Sequence, residues 1–165
     1  MKAKLIVEGK EFNIEILDPK LQELIVPKKT GYERTGESGI FYLENDCGIK
    51  ITYDRPDDSY ANASYERANY YSSKIVAENN IRADTLMRQL RRFAVEHRKD
   101  ELDWSDNSQS KFFIVYEYGK LDIDFDISYK IHGVIYFDSQ KTAELAAKTF
   151  HDELIWYFTE YKDSL

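Results

Sequence analysis

Three aspartates around residue 124 are the side chains whose type and spacing best suggest chemistry. Asp122, Asp124 and Asp126 alternate with apolar residues between positions 121 and 129. An alternation of period two predicts a half-buried β-strand with one apolar face and one polar face. At a rise of about 3.4 Å per residue, neighbouring carboxylates would stand roughly 6.8 Å apart on the polar face. The three aspartates therefore form a predicted row of negative charge on a rigid element.

Such a row has three interpretations. The simplest is a solvated face on which aspartates discourage edge-to-edge pairing of strands. Metal binding is the second, but side chains in an extended row do not converge on one ion without ligands from another element. The third is mimicry of a phosphate backbone, because a cationic groove on a partner would relieve the repulsion between aligned carboxylates. We favour mimicry over metal binding. Four further acidic residues before the strand extend the same surface: Asp100, Glu101, Asp103 and Asp106.

No arrangement typical of an enzyme accompanies the aspartates. His97, His132 and His151 fall on different predicted elements and lack the spacing of metal ligands. Cys47, the one cysteine, lies in a predicted turn with no histidine near it in sequence. Zinc, nucleophile-elbow and phosphate-loop motifs are missing from the sequence. We therefore predict a protein without catalytic activity, bound metal or cofactor.

A basic surface is predicted on one face of a helix over residues 74–99. Basic side chains on such a face can bind phosphates or an acidic partner. A solvated face, or one neutralised by the protein's own carboxylates, is the alternative, and basic residues near a helix C-terminus also complement the macrodipole. The net charge of −7 argues against direct binding of nucleic acid. The residues of this basic face are Arg88, Arg91, Arg92, Arg98 and Lys99.

Aromatic residues supply the candidate anchors for a partner. The chain has 13 tyrosines, and several cluster in a segment over 54–73 that shows no periodicity. Tyrosine offers a large contact area with a polar tip, which is why interfaces use it. Trp104 lies within the acidic stretch that precedes the aspartate strand. The tyrosines predicted to contact a partner are Tyr60, Tyr65, Tyr70 and Tyr71.

Length, composition and charge limit the class of protein. A chain of 165 residues with 42% hydrophobic and 15% aromatic residues can bury a core as one domain, with or without a small subdomain. No apolar run approaches the roughly 20 residues that span a bilayer, and the single cysteine fits a reducing cytoplasm. Residues 100–165 hold 14 acidic and 6 basic side chains, so the acidity is concentrated there.

The elements that would position these residues form a predicted α+β fold. A β-rich subdomain over 1–55 is built from hairpins, and an irregular loop or linker over 56–73 leads to an αβββα module over 74–165. Asp18 and Pro19 predict a short helical turn reaching residue 24. In the C-terminal module an antiparallel sheet, made of a hairpin over 111–129 and a strand over 132–137, is covered by helices over 74–99 and 139–162.

Several short words of the sequence resemble a recurrent C-terminal module. They are ANYY at 68–71, AEN at 77–79, RFA at 92–94, a tyrosine-rich strand at 113–118 and VIYF at 134–137 before an alanine-rich helix. This module resembles one found in small accessory proteins of Firmicutes phages and prophages, and the resemblance covers about residues 68–165. It implies a phage-encoded protein of the bacterial cytoplasm. Some proteins of this kind inhibit host defence, anti-CRISPR proteins among them.

Residues and resemblance together predict a non-enzymatic phage protein that binds and inhibits a host protein through an acidic, tyrosine-rich surface. The predicted partner has a cationic groove, and a CRISPR effector nuclease is one such protein. Two alternatives remain: a nucleic-acid-binding regulator that uses the basic face of the 74–99 helix, and a component of virion assembly. The sequence leaves the identity of the partner and the oligomeric state open.

Overall fold

The computed structural model describes residues 2–7, 10–15, 29–36, 39–45, 48–55 and 57–161. Its elements confirm the predicted α+β class. Six strands form three antiparallel pairs, β1 with β2, β3 with β4 and β5 with β6, and no described strand joins one pair to another. In chain order the elements are β1 (Lys2–Val7), β2 (Lys10–Glu15), β3 (Ile40–Asn45), β4 (Gly48–Tyr53), α1 (Ser59–Glu66), α2 (Lys74–His97), β5 (Lys111–Glu117), β6 (Lys120–Asp126), α3 (Gln140–Thr149) and α4 (His151–Thr159).

The larger core lies between the hairpin β5–β6 and three helices. The buried stripe of α2 includes Leu86, Leu90 and Phe93, which pack with Ala143 and Ala146 of α3. Small side chains on α3 let this helix approach its neighbours closely. The prediction that helices from two segments cover one face of the hairpin is confirmed.

Two details of the predicted module differ in the structure. Residues 132–137 do not form a strand, since only Phe137 pairs with β5, through two backbone hydrogen bonds to Phe112 of 3.0 and 2.7 Å. A turn containing Gly133, at φ +79°, diverts the chain before it can pair further. The helix over 139–162 is interrupted at Phe150, whose φ of −108° and ψ of 24° end α3 before α4 begins. The predicted third strand is therefore wrong, and the predicted long helix is two helices.

The smaller core corrects the prediction of an irregular linker over 56–73. Asp58 caps α1 within this segment by accepting from the amides of Tyr60 at 2.8 Å and Ala61 at 3.4 Å. The backbone of Tyr71 then pairs with Tyr42 of β3. Pairing with the backbone of β3 helps to set the course of this segment, and hydrophobic periodicity within 56–73 does not reveal such pairing. The core residues shared by β3, α1 and the following chain are Phe41, Leu43, Ala61 and Tyr70.

Other predictions about the N-terminal part have three different outcomes. Both predicted hairpins are confirmed, β1–β2 and β3–β4. The predicted helical turn over 18–24 and Cys47 lie outside the described residues. The division into a 1–55 subdomain and a 74–165 module stays a prediction.

Glu33 ties the chain before β3 to the start of α2. Its carboxylate accepts from the Thr30 amide and hydroxyl, from the Gly31 amide at 3.0 Å and from the Ser72 hydroxyl at 3.0 Å. These donors, the Thr30 amide foremost, lower the pKa of Glu33 to about 2. The interaction spans 39 residues of sequence and holds the loop on the helix.

We expect Glu33→Gln to flatten the acid dependence of stability. A carboxyl whose folded pKa is about 2 stabilises the fold above its unfolded pKa near 4.5, and this contribution is lost as pH falls through about 2. The measurement is the midpoint of thermal unfolding between pH 6 and pH 2. Glu66→Gln, at an exposed position of α1, is the control and should retain the wild-type acid dependence. An unchanged acid dependence in Glu33→Gln would contradict this role.

Candidate partner-binding surface

The turn of the hairpin β5–β6 determines which backbone groups face outward. Tyr118 and Gly119 form the two-residue turn with φ of 50° and 82°, as a type I′ turn requires. In such a hairpin the residues next to the turn are hydrogen-bonded to each other, and every second residue then directs its N–H and C=O away from the partner strand. On β6 the outward residues are therefore Leu121, Ile123 and Phe125. No described strand pairs with β6 on this outer edge.

Two of the predicted aspartates cap this outer edge. The Asp122 carboxylate accepts from the Ile123 amide at 2.9 Å, and the Asp124 carboxylate accepts from the Phe125 amide at 2.8 Å. Both aspartates are exposed. They satisfy outward donors that another strand would otherwise take, which is how a natural edge strand resists unwanted pairing.

The row of negative charge has partners within the protein as well. The Lys120 ammonium donates to Asp122 at 2.7 Å and, with the Ile123 amide, lowers the pKa of that carboxyl. Asp126 accepts from the amides of Tyr129 and Ser128, both at 2.8 Å, and these bonds lower the pKa of Asp126. Asp126 therefore shapes the turn after β6, and Asp122 and Asp124 remain as the exposed carboxylates of the strand.

Part of the face that carries the aspartates is covered, so the interpretation of a solvated face applies to β6 and not to the whole hairpin. On β5 this face carries Lys111 and Phe113, and both are buried. Phe113 packs edge-on against Tyr136 with ring centroids 5.4 Å apart, and Tyr136 contacts Trp104 at 4.8 Å. Trp104 is half-buried in this cluster and so is a structural residue as well as a candidate anchor.

The acidic stretch before β5 is exposed but its carboxylates also organise their own loop. Asp103 accepts from the hydroxyl and amide of Ser105, and Asp106 does the same with Ser108, which lowers the pKa of both carboxyls. Glu101 pairs with Arg98 at 2.9 Å. The backbone of Asp100 donates to Asp138 at 3.4 Å.

The tyrosine prediction is half wrong. Tyr60 and Tyr65 are exposed on α1. Tyr70 and Tyr71, by contrast, are 1% and 7% exposed, so neither ring is available to a partner. Burial raises the pKa of Tyr70 and raises that of Tyr71 to about 12. The exposed tyrosines lie on α1, which packs on the smaller core, whereas the aspartates lie on β6, which packs on the larger core. The residues predicted to form one surface are therefore carried by elements of two different cores.

The basic face of α2 is largely neutralised by the protein itself. Arg88 pairs with Glu44 at 2.9 Å, and Arg92 lies 3.8 Å from Glu96. A third arginine of the face, Arg98, is the one paired with Glu101.

Three cations border a shallow groove beside α2, and one of them, Arg98, is also paired with Glu101. Arg91, Arg98 and Lys130 surround a space of about 390 Å³ whose walls include Trp104. The Lys130 ammonium lies 5.8 Å from the centroid of that indole. Lys99 contributes its backbone amide to Asp138 at 2.7 Å.

The exposed aromatic residues near β6 were not identified from the sequence as candidate anchors. Tyr118 is 98% exposed at the hairpin tip, and Phe125 and Tyr129 are 57% and 73% exposed. Phe125 belongs to the apolar register of the strand, which predicts burial, but the helices do not cover this end of the hairpin. These three rings, rather than Tyr70 and Tyr71, are the aromatic residues close to the aspartates.

The histidines and acidic residues do not assemble a site for chemistry in the part of the chain that the structure describes. His97 stacks on Phe93 with centroids 3.8 Å apart, and His151 contacts Asp152 at 2.9 Å. Over the described ranges no group of three or more histidine, cysteine, aspartate or glutamate side chains is placed to hold a metal ion. Among the described helices, none has the length and apolar character to cross a membrane.

Comparison with known proteins gives no information about this surface. Comparison of the chain with known protein families, with curated proteins and with solved structures finds no match. The resemblance to phage accessory proteins stays a prediction.

Proposed function

We propose that the protein binds and inhibits a partner protein that has a cationic groove, without performing catalysis itself. A nucleic-acid-handling defence nuclease of the host, such as a CRISPR effector, has the groove that this proposal requires. The observation that carries the proposal is the exposed edge of β6, where Asp122 and Asp124 are exposed on one face of the strand and the ring of Phe125 is exposed on the other.

The arrangement suits docking for two physical reasons. Exposed carboxylates on a rigid strand steer a cationic partner and fix its orientation, which raises the association rate more than the final affinity. Exposed aromatic rings on or next to the same hairpin can be desolvated by the partner and supply the affinity. Tyr118, Phe125 and Tyr129 are the rings that lie near the carboxylates.

Nucleic-acid binding through α2 is the alternative, and the groove bordered by Arg91, Arg98 and Lys130 is the observation that favours it. It has less support, because ion pairs to Glu44, Glu96 and Glu101 occupy three arginines of the basic face. Retention of labelled duplex DNA on a filter at low salt would favour this alternative over the inhibitor.

We expect the double variant Asp122→Asn, Asp124→Asn to inhibit about tenfold less potently than the wild type, since two exposed charge pairs of up to about 1 kcal/mol each would be lost. Asparagine keeps an oxygen that can accept from the adjacent amide, so the edge stays capped while the charge is removed. The measurement is inhibition of DNA cleavage by a panel of purified CRISPR effector nucleases at 50 and 300 mM salt. Potency of the wild type should fall as salt rises, and potency of the variant should change less.

The matched control removes the same total charge from another surface. Asp57→Asn with Glu66→Gln neutralises two exposed carboxylates of the α1 region and should inhibit like the wild type. Equal potency of the wild type and the Asp122, Asp124 variant would contradict docking through this strand. Absence of inhibition across the panel would contradict the choice of partner.

A further inference from the structure

Resting on the proposed function, we infer that the partner adds an extended segment to the outer edge of β6, and that this segment alternates basic residues with small or apolar ones. The register of β6 with β5 is continuous, without a bulge, and the outward groups of β6 belong to Leu121, Ile123 and Phe125. Two of their amides are bonded only by the side chain of the preceding aspartate among the described contacts. An added strand gains backbone hydrogen bonds at such an edge, while its side chains determine which segment fits.

The aspartates act as a replaceable cap on this edge. A carboxylate that accepts from the next amide occupies the position that a partner carbonyl would take. When a strand is added, its carbonyl oxygens accept from Ile123 and Phe125, and the carboxylates of Asp122 and Asp124 turn to the ammonium or guanidinium groups of the incoming segment. The exchange keeps each donor satisfied and brings a cation of the partner to each carboxylate, where Asp122 already pairs with Lys120, so a basic strand gains more than a neutral one.

Charge also decides between the possible occupants. Side chains of neighbouring strands at one level of a sheet lie about 5 Å apart, and like charges at this distance are unfavourable. A second copy of β6 would place its own Asp122 and Asp124 beside those already there. Alternating basic residues on the incoming strand would instead lie beside them, and its other face would meet the side of the sheet where Phe125 and Ile127 are exposed. The edge therefore suits a basic segment of another protein.

The test uses a labelled nine-residue peptide that alternates lysine with threonine, and a second peptide of the same sequence with N-methyl groups on alternate residues along one edge. Fluorescence polarisation measures the affinity of the full chain for each. We expect the N-methylated peptide, when the methyl groups lie on the pairing edge, to bind at least tenfold more weakly than the unmodified one. Both peptides carry the same charge, so this difference reports backbone pairing and not steering.

Phe125→Pro and its matched control Phe125→Ala test the same edge by changing the protein instead of the peptide. Both variants lose the ring, but only proline removes the outward amide, and an outward-facing position on an edge strand tolerates proline. We expect Phe125→Pro to bind the unmodified peptide at least tenfold more weakly than Phe125→Ala, with circular dichroism unchanged between them.

Equal binding by the two variants, together with equal binding of the two peptides, would overturn strand addition. Inhibition of a nuclease that survives in Phe125→Pro and is lost in the Asp122, Asp124 variant would also overturn it, while leaving the proposed function in place. A dimer that light scattering detects and that Phe125→Pro dissociates would show that a second copy occupies the edge, and would likewise overturn the inference.

Discussion

Replacing Asp54 with alanine is expected to lower the free energy of unfolding by about 2–3 kcal/mol, because a hydrogen bond to a charged group contributes about 1.5–3 kcal/mol and the 35% exposed side chain of Arg34 is partly solvated when Asp54 is lost. Asp54 is 2% exposed. Its two oxygens accept from Arg34 at 2.7 and 3.1 Å, and one of them also accepts from the Tyr70 hydroxyl at 2.7 Å. The variant would leave a guanidinium and a phenol without their shared acceptor.

The effect is large because this network joins distant parts of the smaller core. The Tyr70 hydroxyl accepts from the Thr35 amide at 2.9 Å, and the Tyr70 ring stacks on Phe41 with centroids 4.1 Å apart. The guanidinium of Arg34 lies 5.3 Å from the ring centroid of Tyr70. Loss of Asp54 therefore weakens the anchoring of Tyr70 as well as one ion pair.

Urea unfolding followed by circular dichroism measures the change, and hydrogen exchange at the paired amides of Tyr42 and Tyr71 reports the smaller core directly. Asp84→Ala, at an exposed position of α2, is the control and should change stability by less than about 0.5 kcal/mol. A loss below about 1 kcal/mol for Asp54→Ala would show that the network contributes little.

Lys111→Met is expected to lower the free energy of unfolding by about 2–4 kcal/mol. Lys111 is fully buried, and its ammonium donates to the backbone carbonyls of Asp106 at 2.7 Å and Ile127 at 3.2 Å. It also lies 5.3 Å from the centroid of the Trp104 ring. Methionine preserves the packing of the chain but cannot donate, and each bond from a charged donor is worth about 1.5–3 kcal/mol.

The loss should be greater at neutral pH than in acid. Hydrogen bonds from Ser105 and Ser108 and from the Tyr129 amide are the main reasons why the pKa values of Asp103, Asp106 and Asp126 are low, and the charge of Lys111 lowers all three further. A depressed carboxyl pKa stabilises the fold above the unfolded pKa, and this contribution is lost as pH falls through the folded pKa. In Lys111→Met the folded pKa values of the three carboxyls lie closer to the unfolded ones, so the acid-dependent loss of stability should be smaller and should end at a higher pH than in the wild type.

Urea unfolding at pH 7 and pH 3, with tryptophan fluorescence as the probe, tests both statements. Lys141→Met replaces an exposed lysine of α3 and should leave stability within about 0.5 kcal/mol at both values. If Lys111→Met proved as stable as the wild type at pH 7, the buried ammonium would not be holding the loop 103–106 on the hairpin.

Local patterns predict the elements of this protein better than their connections. The apolar stripe with Leu86, Leu90 and Phe93 predicts α2, since a helix presents every third or fourth residue on one side. The alternation around Asp124 predicts β6 for a similar reason. Residues 132–137 have the composition of a strand, yet the turn at Gly133 allows one pairing only. Amino-acid composition indicates a tendency to form a β-strand, whereas strand pairing requires a neighbouring strand in a position to form hydrogen bonds.

The candidate surface was predicted in part. The sequence places Asp122 and Asp124 together because they share one face of one strand. The sequence does not show that the Tyr70 hydroxyl donates to the buried carboxylate of Asp54. The two residues are 16 positions apart, and they come into contact only when β3, β4 and α1 pack together. Nor does the sequence show that Phe125 is left exposed at the end of the hairpin.

Features that depend on residues a few positions apart follow from the sequence: the α+β class, the main helices and hairpins, and the line of carboxylates on β6. The exposure of each tyrosine, the pairing of each arginine and the open edge of β6 follow from packing in three dimensions. Burial and pairing depend on contacts between distant segments, and the chain acquires these when its two cores form. The proposed function of the aspartates depends on that open edge, where Ile123 and Phe125 direct their amides outward.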